Sequence, residues 1–141
     1  MLVKIVEKDD ENYRINDLVD ELKKNSKIDE TGAIFTFEGF LRGKEVKNMM
    51  LTTPNKVETE KKLIKMVKDV EKDHNVYEIA TVHYIGKFYT GDTLFLLAVL
   101  GSHREETLKA MEDAIEKIKY GLEFKKEEVS DDGTKIILAG G

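Results

Sequence analysis

Seven consecutive apolar residues, Leu94-Phe95-Leu96-Leu97-Ala98-Val99-Leu100, constrain this chain more than any other feature. A bilayer-spanning helix needs about 20 apolar residues, so the run is too short to cross a membrane. It lacks the alternation of a strand with one wet face, and therefore predicts a strand buried on both sides. A chain of 141 residues has room for one domain with one core around such a strand.

The flanking sequence supplies the elements that would cover it. Residues 1–6 predict a first strand. Ile15, Leu18, Val19 and Leu22 recur at helical spacing and predict a helix over 15–24. Ala33 to Phe37 and Asn48 to Thr52 read as strands, the first running into the glycine-flanked stretch Gly39 to Gly43. Thr53-Pro54 reads as a helix start, with Leu63, Met66, Val67 and Val70 as the apolar face. Val76 to Ile85 predicts a strand and 86–92 a loop. Ser102-His103-Arg104-Glu105 has the form of a capping box before a helix with Leu108, Met111, Ile115 and Ile118 buried and Gly121 at its end. Leu122 to Val129 and Lys135 to Leu138, joined by Asp132-Gly133, read as closing strands. Helices and strands mix without a βαβ rhythm. The expected class is α+β: a single domain over 1–141 with a mixed or antiparallel sheet and about three helices.

Composition removes several functions. There is no cysteine, hence no disulfide, thiolate nucleophile or cysteine-bound metal. Three histidines, His74, His83 and His103, stand far apart and make a histidine metal site improbable. A net charge of -5 argues against a broad nucleic-acid footprint, though not against a local basic pocket. Residues 1–13 lack the apolar core and cleavage site of a signal peptide, so a soluble, cytoplasmic protein off the membrane is the expectation.

A few residues could carry chemistry. His103 and Arg104 would sit in the first turn of a helix, where free N–H groups, the helix dipole and a guanidinium suit a phosphate; an ordinary solvated turn fits as well. Leu122, Phe124 and Lys126 share one face of a strand, so Lys126 is partly desolvated and its pKa tends to fall; a snorkelling strand-end lysine is the plainer alternative. Lys125 faces the other way. Lys119 ends its helix, where a cation is favoured without any function. Arg42 lies near two glycines and can reach an anion or solvent. His83 reads as a structural histidine, and Asp92 as a turn residue.

Together these residues resemble the molybdopterin synthase catalytic (large) subunit family, over about Gly32 to Glu128. Gly32-Ala33 through Phe37-Glu38-Gly39 to Arg42 is similar to its G-A-x-x-x-F-x-G-x-x-R stretch. Val82-His83-Tyr84-Ile85-Gly86 is similar to its I-H-R-x-G, Gly91-Asp92 to its G-[DE], His103-Arg104 to its H-R pair, and Lys119 with Phe124-Lys125-Lys126-Glu127-Glu128 to its L-K…W-K-K-E ending. The order and spacing of the pieces carry the resemblance. It implies a sulfurtransferase that converts cyclic pyranopterin monophosphate to the dithiolene of molybdopterin. Sulfur arrives as a thiocarboxylate on the C-terminal Gly-Gly of a small ubiquitin-like carrier. The resemblance further implies Lys119 and Lys126 as catalytic residues, with Arg42, His103 and Arg104 as substrate contacts. No metal or cofactor is implied. The assembly implied is a homodimer with one carrier at each outer end, a heterotetramer. The sequence departs from the family at Tyr84 (usually arginine), at Glu123 and Lys125 (usually proline and tryptophan), and over Thr52-Thr53-Pro54-Asn55, which loosens the expected pocket wall.

Two other functions compete. A module that docks the carrier without turnover predicts binding but no product. A small-ligand regulatory domain predicts that Lys119 and Lys126 lie far apart, whereas the enzyme needs them on one pocket with Arg42, His103 and Arg104, within one protomer or across a dimer interface. The terminal Ala139-Gly140-Gly141 reads as a chance tail or as a mimic of the carrier; as a mimic, its deletion changes carrier affinity.

Overall fold

In chain order the elements are β1 (Val3–Glu7), α1 (Ile15–Leu22), one 3-10 turn (Ile28–Glu30), β2 (Ala33–Phe40), β3 (Val46–Thr52), α2 (Lys56–His74), β4 (Glu78–Phe88), β5 (Thr93–Gly101), α3 (Arg104–Gly121), β6 (Lys125–Ser130) and β7 (Gly133–Leu138). The computed structural model describes residues 1–43, 46–130 and 133–138; Gly140 and Gly141 lie outside them.

The apolar run is β5, and every residue from Phe95 to Gly101 is buried. Helices cover both of its faces. α1 packs on β5 and β4 and makes no contact with α2 or α3, while α3 packs on β5, β2 and α2. The strand order is β2-β5-β4-β3-β6-β7, with β1 joined to β4. Only the β1–β4 pair is parallel; the other pairs are antiparallel. The architecture is therefore the expected α+β, with a mixed sheet and three α-helices.

The long strand β4 organises the site. Glu78 to His83 pair with β5, whereas Gly86 to Phe88 pair with β3. Gly86, at φ 121°, stands where the strand changes partner, a backbone angle that a side chain would strain. The expected loop at 86–92 is thus shorter: β4 runs on to Phe88. Pairing with β3 extends it, and no local sequence signal reports that partner.

Two helix starts differ from expectation. Asn55, not Thr53, caps α2, its side chain accepting from the Glu58 N–H. Thr53 instead shares a hydrogen bond of 2.6 Å with the buried Thr59. The capping box before α3 does not form. His103 is the N-cap and gives no side-chain cap bond, and the Ser102 hydroxyl meets His103 Nδ1 at 3.0 Å. The helix is phased by Thr107, which packs on Gly101 and donates to the His103 carbonyl. Its buried face becomes Thr107, Ala110, Met111, Ala114 and Ile118, and Leu108 is left 44% exposed. Small side chains bring α3 close to the sheet: a Cβ on Gly101 would lie 2.1 Å from Thr107 Oγ1.

Candidate active site

After α3 the chain reverses through Leu122 and Phe124, both buried, into β6. Lys126 lies opposite Leu51 of β3. Strand alternation sends Lys126 toward the cavity with Phe124, while Lys125 points outward, exposed, and pairs with Glu127 at 3.0 Å. Lys119 stands in the last turn of α3. The reversal brings both amines to one cavity lined by Met49, Leu51, His83, Leu94, Phe95, Ile118, Lys119, Phe124 and Lys126. Its volume is about 40 Å³.

Electrostatics distinguishes Lys126. Burial lowers its pKa from the usual 10.5; the Glu128 carboxylate opposes that, and the charge of Lys119 adds to it. An amine so placed gives up its proton more readily than a free lysine, which suits proton transfer. His83 forms the cavity wall on the β4 side. Its ring stacks on Phe95 and Phe124, with centroids at 5.2 and 4.5 Å. Burial, chiefly, lowers its pKa to about 4, so it is neutral at ordinary pH. Sequence reading left His83 out of the site, because it cannot see that Phe95 and Phe124 converge on one ring. Its place in the stretch Val82 to Gly86 was the available signal.

The anion-binding residues stand elsewhere. His103 and Arg104 begin α3 and line, with Gly32, Ser102, Glu105 and Glu106, a separate open pocket. Fifteen residues separate Arg104 from Lys119 on one helix, roughly 22 Å at the α-helical rise. One protomer therefore does not unite them with the lysines. Two carboxylates also share that first turn, and His103 Nδ1 lies 3.6 Å from Glu106. Arg42 is exposed after β2, in a segment held to the β4–β5 turn by Leu41 N–H to the Asp92 carbonyl and Gly91 N–H to the Leu41 carbonyl. Since Gly39 pairs with Phe95, Arg42 lies at the cavity's end of the sheet. Asp92 is the expected turn residue, accepting from the Tyr89 N–H at 2.7 Å and pairing with Lys8.

The departures from the family lie off the cavity wall. The Tyr84 hydroxyl accepts from the Tyr13 N–H at 2.9 Å, beside α1. Glu123 is exposed and approaches Lys62 at 4.0 Å, and Lys125 is exposed. Among the described residues no group of three or more His, Asp or Glu is arranged to hold a metal ion, and no helix is long and apolar enough to cross a membrane.

Comparison with known proteins places the chain in a family. A molybdopterin synthase catalytic subunit of Yersinia pestis is 28% identical over 122 residues, 84% of this chain and 80% of that protein. One from Staphylococcus aureus is 33% identical over 107 residues, 74% and 72% of the two chains. The structure of a molybdopterin biosynthesis MoaE protein from Burkholderia ambifaria superposes with a TM-score of 0.81 at 25% identity, covering 100% of this chain and 92% of that one. The profile of the MoaE protein family matches residues 9–121, and the chain belongs to that family.

Proposed function

We propose that this chain is the catalytic subunit of a molybdopterin synthase, moving sulfur from a thiocarboxylated carrier to cyclic pyranopterin monophosphate. One observation carries the reading: Lys119 and Lys126 open onto one cavity, and burial favours the neutral amine at Lys126. Two relatives covering most of this chain are named for that activity. The regulatory-domain alternative required the two lysines to lie apart.

The residues divide the work. A carrier tail ending in glycines, which have no side chains, enters most readily beside the two lysines of this narrow cavity. Release of sulfur from an acyl carrier builds negative charge on the acyl oxygen. An ammonium at Lys119 offsets that charge, and Lys126 exchanges the protons. Arg42, His103 and Arg104 hold the substrate phosphate. Because His103 and Arg104 sit at the far end of α3, a second copy supplies them, so the working form is a homodimer with a carrier at each outer end. The family supports a cytoplasmic setting.

The test is turnover: this protein, a thiocarboxylated carrier and cyclic pyranopterin monophosphate, with detection of the dithiolene. Product that disappears in Lys119→Ala and Lys126→Ala supports the enzyme. Tight carrier binding without product would favour the docking module.

A further inference from the structure

Arg42 is exposed, yet the backbone on either side of it is fixed. The Leu41 N–H donates to the Asp92 carbonyl at 2.9 Å, and the Gly91 N–H donates to the Leu41 carbonyl at 2.8 Å. The Thr90 hydroxyl donates to the Gly43 carbonyl at 3.0 Å. All three partners belong to the turn 89–92 between β4 and β5. The place of Arg42 therefore follows the shape of that turn. Gly43 and Gly91 have φ of 135° and 93°, angles that a side chain would strain, so the two segments meet in a conformation that needs glycine on each side.

One carboxylate shapes the turn. The Asp92 N–H donates to the Tyr89 carbonyl at 2.9 Å, and its Oδ2 accepts from the Tyr89 N–H at 2.7 Å. The same Oδ2 pairs with the Lys8 ammonium. Lys8 follows β1 and is itself anchored on β4. Its N–H donates to the Ile85 carbonyl at 2.9 Å and its Nζ to the Lys87 carbonyl at 3.0 Å. Nζ also lies 5.4 and 5.5 Å from the ring centroids of Phe88 and Tyr89. Both side chains of the pair are half-buried. Burial pushes the Asp92 carboxyl up, and the Lys8 ammonium with the Tyr89 N–H more than offsets it, so the carboxylate stays charged.

We propose that Lys8 and Asp92 are positioning residues for Arg42: their ion pair fixes the 89–92 turn, and the turn holds Arg42 where its guanidinium receives the substrate phosphate. The role rests on the sulfur-transfer reading above. Asp92 closes the turn on itself. Lys8 ties the closed turn to β1 and β4, so Arg42 is referred to the same strand that carries His83 into the cavity wall. An arginine on a fixed backbone loses less freedom when it binds an anion, which favours phosphate binding and leaves the chemistry at Lys119 and Lys126 untouched.

The experiment separates KM from kcat in steady-state turnover with the thiocarboxylated carrier. Lys8→Met keeps the stem and removes the charge. It is expected to raise KM for cyclic pyranopterin monophosphate about three- to tenfold, the range for a residue that acts through another, with kcat and the carrier's KM unchanged. Lys8→Arg, which keeps the pair with Asp92, restores most of that KM. Arg42→Ala also raises the pterin KM, and adding Lys8→Met to it raises it no further, because the pair acts through Arg42. An unchanged pterin KM in Lys8→Met, or a loss in kcat alone, overturns the proposal. So does a rise by the same factor with and without Arg42, the signature of a merely structural pair. Absence of product from the wild-type protein sinks the sulfur-transfer reading by itself. Backbone NMR of the full chain then still decides the clamp. The Arg42 and Gly91 amide resonances are expected to move in Lys8→Met and to return in Lys8→Arg; amides indifferent to Lys8 overturn it.

Discussion

Lys126 shows how much one residue's environment can be read from sequence. Its position after Leu122 and Phe124 marked it as half-desolvated, and in the structure burial does lower its pKa. The sign for stability follows. Between the lowered folded pKa and the unfolded value of 10.5 the unfolded chain binds more protons, so this group's contribution to stability rises with pH across that window and is unfavourable below it. Lys126→Met, which keeps the stem and removes the charge, is therefore expected to abolish turnover while raising stability at neutral pH by about 0.5–1 kcal/mol, the usual size of a single stabilising change. Urea unfolding beside the activity assay checks this; a less stable variant would mean that the amine's polar contacts outweigh its burial. The same alternation argument could not find His83, because whether a strand histidine meets a helix, a lysine or solvent depends on strands distant in sequence.

At the scale of elements, the strands and helices were legible and their ends were not. The continuous run of β5 and the helical spacing of α1 and α2 each mark a buried face directly. Helix starts depend on which of several neighbouring polar residues wins. At α2 the local candidates stood two positions apart, and Asn55 took the cap that Thr53 was expected to hold. Asn55→Ala should cost about 1 kcal/mol in thermal or urea unfolding, and Asn55→Asp close to nothing. At α3 the capping-box pattern lost to packing: seating Thr107 on Gly101 set the helix phase and turned Leu108 outward. Gly101→Ala places a Cβ 2.1 Å from Thr107 Oγ1, and overpacking of this kind costs about 1–3 kcal/mol. Adding Thr107→Ala should return part of that loss. If the double variant is no more stable than Gly101→Ala alone, the close approach is not what fixes the helix.

The whole molecule determines which site residues can act together. The resemblance supplied five of them without an arrangement. The fold brings Lys119 and Lys126 onto one cavity, sets Arg42 at that end of the sheet, and leaves His103 and Arg104 roughly 22 Å away along α3. A helix of this length does not bend its ends together, so a site using all five draws on two copies. That arrangement makes a specific expectation. Lys119→Ala and Arg104→Ala proteins are each inactive alone. When they are mixed and allowed to exchange subunits, half the dimers are mixed, and in each of these one of the two sites combines intact lysines with an intact His103-Arg104 pair. About a quarter of the wild-type sites should therefore return. Turnover rising toward that fraction on mixing supports the shared site. Turnover that stays at zero, with subunit exchange verified by mass, would place all five residues' work within one protomer and require α3 to move.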